Sequence, residues 1–297
     1  MRLSDPGGEP VSHLAPRLRI VGAALLFSTG GAAIKACSLT SWQVAGLRSA
    51  VAALTVLAIL PESRRRWSLK IVLVGACYAA TMVLFVSANK LTTAASTIFL
   101  QSTAPIYVLL LSPWLLKEHL RARDLGFLAV MASGMACFFL GTPPAVASAP
   151  HPLEGNVLAL FSGIFWGLTV VGMRWLGQRS ESSDAAAMII AGNVIAALAC
   201  APFAFPIVGA RAVDWGVVLY LGVFQIATAY VWLTAAMRHV GALEASLLLF
   251  VEPVFNPVWA YLAQGERPGT LAIAGGVLIL AATAWRTWSS RPRVSQP

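Results

Sequence analysis

Apolar residues run along this chain in long blocks, and charged residues fall almost entirely in the short stretches between them. About twenty apolar residues are enough to cross a bilayer as an α-helix. Strands of a membrane barrel would instead alternate strictly over about ten residues, and stretches such as VLLLSPWLL do not alternate. The pattern predicts an all-α polytopic membrane protein with ten transmembrane helices, at residues 17–36, 40–60, 69–89, 91–115, 124–141, 154–175, 183–206, 213–236, 241–263 and 269–288.

Composition supports the membrane interpretation. Of the 297 residues, 58% are hydrophobic and 11% are charged, with a mean hydropathy of +0.75. A soluble domain has roughly a quarter of its residues charged. The four cysteines fall in or beside different apolar blocks and show no metal-ligand spacing, so neither a metal nor a cofactor is expected.

The positions of the basic residues predict the orientation. If the N-terminus is cytoplasmic, sixteen Lys and Arg residues lie on the inner side and only Lys35, Lys90, Arg211 and Arg267 lie outside. Such a bias is typical of a protein with both termini in the cytoplasm, here of a bacterial inner membrane. The net charge of +9 is therefore a topology signal, and no segment resembles a soluble nucleic-acid-binding module.

The second half of the chain repeats features of the first after a shift of 148 residues. The shift superposes ACYAATMVLFVSANK on FQIATAYVWLTAAMR, and it carries Pro105 onto Pro253 and Glu118 onto Glu266. Each half holds five spans, an odd number, so the second half must enter the membrane in the opposite sense. Inverted repeats of this kind are the construction of many secondary transporters, which bind substrate between the halves and alternate access.

This division gives five predicted regions. They are a disordered cytoplasmic tail at 1–16, a first five-helix repeat at 17–141, an extracytoplasmic linker at 142–153, a second repeat at 154–288 and a cytoplasmic tail at 289–297.

Several motifs resemble the drug/metabolite transporter superfamily, and within it the EamA group. The resemblance rests on the ten spans, the paired Pro and Glu residues, Phe165-Trp166-Gly167, Arg48 in the second span and Glu252-Pro253 in the ninth. It covers residues 17 to 288 and is greatest for YddG-type exporters of aromatic amino acids. The first repeat departs from the pattern, having Phe27-Ser28 where the second has Trp166-Gly167. The resemblance implies a plasma-membrane exporter of aromatic and other neutral amino acids.

Aromatic and hydrogen-bonding residues at helical spacing are the candidates for substrate contact. Such residues recur along the third and eighth spans, and the resemblance places the third, fourth, eighth and ninth spans around a central cavity. Aromatic walls with a few polar groups suit a flat amphipathic molecule, although stripes of this kind are also typical of ordinary helix packing. The predicted substrate-binding residues are Tyr78, Met82, Phe85, Gln101, Trp166, Thr169, Gln225 and Tyr230.

Three charged residues inside predicted spans stand out, Arg48 in the second span and Glu244 and Glu252 in the ninth, because an unpaired charge there is costly. Arg48 either binds a substrate carboxylate or satisfies carbonyl groups of a broken helix. Glu252 is either a proton-coupling site, because burial disfavours its charged form, or a structural tie between helices.

Pro105 and Pro253 each remove a backbone donor and predict a helix kink. The kink is a hinge, a source of carbonyl groups for a pocket, or a static bend. Glu118 and Glu266 follow at the membrane edges, and we expect them to cap a helix or pair with adjacent basic residues.

These features predict a facilitative exporter of neutral and aromatic amino acids that works by alternating access. A small-molecule substrate and the lipid bilayer are its expected partners, no nucleic acid is expected, and a monomer is compatible with the sequence. The runner-up is a proton-coupled exporter of cationic drugs, in which Glu252 would supply the coupling carboxylate that the first span lacks. An enzyme is disfavoured because the histidines lie in tails or loops and no nucleophile or metal motif is present.

Overall fold

The computed structural model describes residues 14–60, 67–115, 122–177, 183–237, 239–240 and 242–289. Over these residues the chain folds into fifteen helical elements with no β-strand, and these elements group into ten spans, as the sequence predicts. The first half comprises α1 (Leu14–Ser28), α2 (Gly30–Ala36), α3 (Ser41–Ile59), α4 (Leu69–Leu91), α5 (Ala94–Gln101), α6 (Ala104–Leu115) and α7 (Ala122–Leu140). The second comprises α8 (Pro152–Gly177), α9 (Ser183–Ala204), α10 (Ala212–Tyr220), a π-helical segment (Leu221–Thr228), α11 (Ala229–Ala236), α12 (Ala242–Leu249), α13 (Val251–Gln264) and α14 (Thr270–Ser289).

Eight of these spans are both long and apolar enough to cross a membrane. The two others are Asp124–Leu140, which is apolar but shorter, and the broken α12–α13 pair. The first helix begins at Leu14, three residues before the predicted start, so only residues 1–13 of the predicted tail lie outside the described residues. The predicted C-terminal tail from 290 onward and Glu118 also lie outside them.

Both prolines of the repeat stand at interruptions rather than at smooth bends. α5 ends at Gln101 and α6 begins at Ala104, one residue before Pro105. In the ninth span α12 ends at Leu249, and Pro253 lies in the first turn of α13. A proline is tolerated at the start of a helix because the amide that it lacks has no partner there. Each half therefore contains one span that is interrupted at its repeat proline.

The helix contacts of the two halves are equivalent, as an inverted repeat requires. α3 packs on its counterpart α9, α7 on α14, and α5 on α13. The contact between α4 and α8 is matched by the contact between α11 and α1. The α7–α14 pair is close because both helices have a glycine at the crossing: a Cβ atom on Gly275 would lie 2.6 Å from the carbonyl oxygen of Gly134. A pseudo-twofold relation thus organises the whole bundle.

A buried ion pair closes the membrane face opposite the N-terminus, which we call the far face. Lys35 Nζ lies 2.7 Å from Glu266 Oε1, and both side chains are only 4% exposed. The other carboxylate oxygen of Glu266 accepts a hydrogen bond of 2.9 Å from the amide of Ala94 and so caps α5. Lys35 also donates to the carbonyl oxygens of Thr92 and Ser148. Glu266 therefore caps a helix, which is one of its two expected roles, and its ion-pair partner is a lysine of the first span rather than an adjacent basic residue.

A second carboxylate anchors the same face. Asp214 is fully buried and accepts hydrogen bonds from the amide of Ser38 at 2.7 Å and from the amide of Arg211 at 2.8 Å. It also pairs with the Arg211 guanidinium at 3.2 Å. The hydrogen bonds and charge of Asp214 raise the pKa of Arg211 above its ordinary value, so Arg211 stays charged at physiological pH.

We predict that Glu266→Gln destabilises the protein strongly. The substitution leaves the buried Lys35 ammonium without its counter-charge, and breaking a buried pair in this way costs about 3–5 kcal/mol. Glu244→Gln is the matched control, because the Arg17–Glu244 pair at the N-terminal face is 46% and 43% exposed and such pairs contribute about 0–1 kcal/mol. Thermal unfolding in detergent measures both, and adding Lys35→Met to Glu266→Gln should restore part of the loss. Equal melting temperatures for the two single variants would contradict the prediction.

Candidate substrate cavity

A cavity of about 120 Å³ lies in the middle of the bundle, between the two halves. Seven of the ten spans contribute to its wall. The lining residues are Phe27, Arg48, Met82, Phe85, Gln101, Trp166, Gln225, Ile226, Tyr230, Leu233, Leu249 and Glu252. The wall is mainly apolar, with a few polar groups that converge from different helices, as is usual for a small-molecule site.

Four aromatic rings form much of the wall, two from each half. Phe27 and Tyr230 meet edge to face with their centroids 5.0 Å apart. Tyr230 makes a second edge-to-face contact, at 5.8 Å, with Tyr78 behind it. These contacts hold the Tyr230 ring in place, so the cavity presents a preformed aromatic surface.

Two glutamine amides supply neutral hydrogen-bonding groups. Gln101 ends α5 and donates a hydrogen bond of 2.8 Å to Ser162 of α8. Gln225 lies in the π-helical segment and is 6% exposed, and its side-chain oxygen has no hydrogen-bond partner. A Cβ atom on Gly30 would lie 2.9 Å from Gln225 Nε2, so the glycine makes room for this amide. One neutral acceptor is thus left free at the cavity.

Arg48 brings a buried positive charge to the wall. The residue is 1% exposed, and its Nη2 donates a hydrogen bond of 3.2 Å to the backbone oxygen of Met82. Its Nε has no hydrogen-bond partner. A charged side chain at the bilayer centre costs about 2.5–3.5 kcal/mol on insertion scales. One carbonyl oxygen compensates this charge only in part.

Glu252 brings a negative charge from the other half of the protein. It lies in the first turn of α13, directly after the break between α12 and α13. The amide dipoles at a helix start favour a carboxylate there. Its side chain is half-buried, and the ion pairs found among the described residues do not include it.

Comparison with known sequences identifies the group to which this architecture belongs. Residues 17–140 and 153–287 each match the EamA-like transporter family, which accounts for both halves of the chain. The chain belongs to this family. It is therefore a multi-pass membrane transporter and not an enzyme.

Individual relatives of this EamA-like protein are distant. It is 27% identical over 273 residues to the pseudopaline exporter CntI of Pseudomonas aeruginosa strain UCBPP-PA14, covering 89% of this chain and 93% of the relative. An uncharacterized transporter of Archaeoglobus fulgidus is 24% identical over 209 residues, covering 65% and 67% of the two chains. A solved structure titled only "Crystal structure of protein" superposes with a TM-score of 0.61 at 21% identity, over 96% of this chain and all of the other, and so shares the fold.

The structure brings eight of the predicted site residues of this EamA-like protein together in the cavity wall. They are Arg48, Met82, Phe85, Gln101, Trp166, Gln225, Tyr230 and Glu252.

Two predicted residues do not line the cavity. Tyr78 is fully buried, because Gly192 of α9 lets the ring pack so closely that a Cβ atom there would lie 2.5 Å from it. Thr169 is buried too, and its hydroxyl donates to the carbonyl oxygen of Phe165 at 2.8 Å. Both side chains support the wall from behind.

Sequence reasoning missed four lining residues: Phe27, Ile226, Leu233 and Leu249. A signal existed for Phe27, which occupies the place in the first repeat that Trp166 occupies in the second. Ile226 had no such signal, because the π-helical segment changes which side chains of the eighth span face inward.

We predict that a cysteine in the wall reacts with a small thiol reagent while its neighbour does not. In a background lacking the native cysteines, Met82→Cys should react with methyl methanethiosulfonate in the folded protein. Thr81→Cys, one residue earlier on the same helix, should stay protected because Thr81 is fully buried. Mass spectrometry of the intact protein measures the modification over time. Equal rates at the two positions would refute this description of the wall.

Proposed function

We propose that the protein exports neutral and aromatic amino acids, together with related small metabolites, across a bacterial inner membrane. The observation that carries the proposal is the cavity at the centre of the bundle, with four aromatic rings and a small set of polar groups. Flat apolar side chains fit such walls, and the polar groups can orient the remainder of the molecule.

The two ends of the bundle support loading from the N-terminal face. The far face is closed by the buried Lys35–Glu266 pair and the Asp214 hydrogen bonds. The N-terminal face is crossed by the exposed Arg17–Glu244 pair between α1 and α12, and the cavity extends toward that face through Leu233 and Leu249. The basic residues concentrate on this same side, which the positive-inside rule assigns to the cytoplasm. We infer that the cavity loads its substrate from this side, as an exporter requires.

Transport then requires the far face to open while the N-terminal face closes. Because the two halves are related by a pseudo-twofold axis, exchanging their conformations exchanges the open and closed faces. The broken spans, α5–α6 and α12–α13, place two interruptions beside the cavity where backbone angles can change. We infer that transport is facilitative and driven by the substrate gradient.

Pseudopaline is a further candidate substrate, because the chain is similar in sequence to the pseudopaline exporter CntI. The similarity extends over 89% of this chain, but 27% identity leaves room for a different cargo. Pseudopaline therefore belongs in any panel of test substrates beside the amino acids.

Glu252 favours a second candidate function, the proton-coupled export of cationic drugs. A half-buried carboxylate at the cavity can bind either a proton or an organic cation, and their competition would couple the two fluxes. In that case Glu252→Gln abolishes uptake driven by a pH gradient.

The decisive experiment is uptake by purified protein in liposomes. Radiolabelled tryptophan, phenylalanine and threonine, pseudopaline and a cationic dye are each offered with and without an imposed pH gradient. We expect amino acid flux that equilibrates without the gradient. Flux of the dye alone, and only with the gradient, would replace the proposed function by drug/proton antiport.

We predict that Trp166→Ala raises the KM for tryptophan roughly fivefold or more, because loss of an aromatic contact removes about 1 kcal/mol of binding free energy. Trp114→Ala is the matched control, since Trp114 is 84% exposed on α6 and should leave transport unchanged. Initial rates at equal protein density give both values. If the two variants transport alike, Trp166 does not contact the substrate.

A further inference from the structure

The cavity carries two opposite formal charges that do not neutralise each other. Arg48 comes from α3 in the first half and Glu252 from α13 in the second, and both line the same space. The ion pairs of the described residues join other partners. By contrast, the buried charge of Lys35 at the far face lies 2.7 Å from its counter-charge.

Arg48 has an unused donor in a place where water is scarce. Its Nη2 bonds to the Met82 carbonyl oxygen and lies 3.7 Å from the Met82 sulfur, while Nε has no partner. A guanidinium presents its donors in a rigid fork that matches the two oxygens of a carboxylate. The free donor of this buried side chain therefore suits an acid group on a ligand.

Glu252 offers the complementary group. Its helix begins after Phe250, whose side chain makes no capping hydrogen bond, so the carboxylate supplies the negative charge at the helix start. Being half-buried, it remains open to an ammonium group in the cavity.

We propose that the cavity selects zwitterions, with the ligand carboxylate at Arg48, its ammonium group at Glu252 and its apolar side chain against the aromatic rings. The inference rests on the proposed function and specifies its substrate class. A ligand with both charges compensates both residues, whereas a simple cation leaves Arg48 uncompensated and a simple acid leaves Glu252 uncompensated. An unpaired charge in a dry site weakens binding, so each single-charge analogue should bind less tightly.

Three indole compounds test this rule on the wild-type protein. In liposomes loaded with tryptophan, counterflow of labelled tryptophan is inhibited with unlabelled tryptophan, with tryptamine, which lacks the carboxylate, and with 3-indolepropionate, which lacks the amine. We expect tryptophan to inhibit about tenfold more strongly than either analogue, because a hydrogen bond to a charged group contributes at least that factor. Equal inhibition by all three compounds would overturn the inference.

Charge-removing variants then assign each end of the ligand. Arg48→Gln should make tryptophan and tryptamine equally good inhibitors, and Glu252→Gln should do the same for tryptophan and 3-indolepropionate. Arg48→Lys keeps the charge and should keep the preference for tryptophan. Trp114→Ala, on the exposed face of α6 and outside the cavity, should keep the wild-type order.

Two failures can be told apart. If wild-type protein transports tryptophan but each charge removal weakens all three compounds equally, Arg48 and Glu252 are structural and only the zwitterion rule falls. If wild-type protein transports no amino acid, the proposed function and the rule fall together. Should a variant be too inactive for counterflow, ligand-induced shifts of its melting temperature give the same ranking, and an unchanged wild-type order there also overturns the rule.

Discussion

The bilayer core holds no water, so each polar group in the spans needs a partner within the protein, and the rest of this structure follows from that constraint. Threonine hydroxyl groups donate hydrogen bonds to backbone carbonyl oxygens one turn earlier in the same helix. Thr81 donates to the carbonyl oxygen of Cys77, and Thr97 donates to that of Thr93. Lys35 and Glu266 satisfy each other at the far face. Some buried polar atoms have no hydrogen-bond partner, among them Arg48 Nε at the cavity and both side-chain polar atoms of Asn256. In our proposal, a ligand in the cavity completes the interactions of Arg48 and Glu252.

Inversion of the two halves provides a way to move such a ligand without exposing it to lipid. Glycines such as Gly134 and Gly275 bring counterpart helices into backbone contact, and this contact keeps α7 and α14 together. The backbone angles that can change during transport lie instead at the breaks of the two broken spans, α5–α6 and α12–α13. α5 begins at the amide that Glu266 caps, while α12 ends one residue before α13 presents Glu252. Closure of the far face and presentation of the site are therefore built on the same two broken spans.

The fold was largely readable from the sequence, because block length and charge position report directly on the bilayer. The ten segments and the interruptions at Pro105 and Pro253 were visible as apolar runs and as a proline repeat. The cavity wall was only partly readable. Periodicity places Tyr78 on the stripe of Met82, but Gly192 draws Tyr78 onto α9, and that close approach depends on a distant part of the chain. The ion pair of Lys35 with Glu266 likewise depends on tertiary structure, because the two residues are 231 positions apart in the sequence.

Features that occur in only one half of the chain distinguish the residues of the cavity from those that build the inverted architecture. Features that fit both halves, such as the prolines, the broken spans and the paired glycines, serve the inverted architecture and would suit any cargo. The cavity charges do not repeat: the 148-residue shift carries Ala104 onto Glu252, and α9, the counterpart of α3, contains neither lysine nor arginine. A symmetric scaffold has no need of an asymmetric pair of opposite charges. A ligand with two different ends does need one, since it must bind in one orientation while the halves move around it.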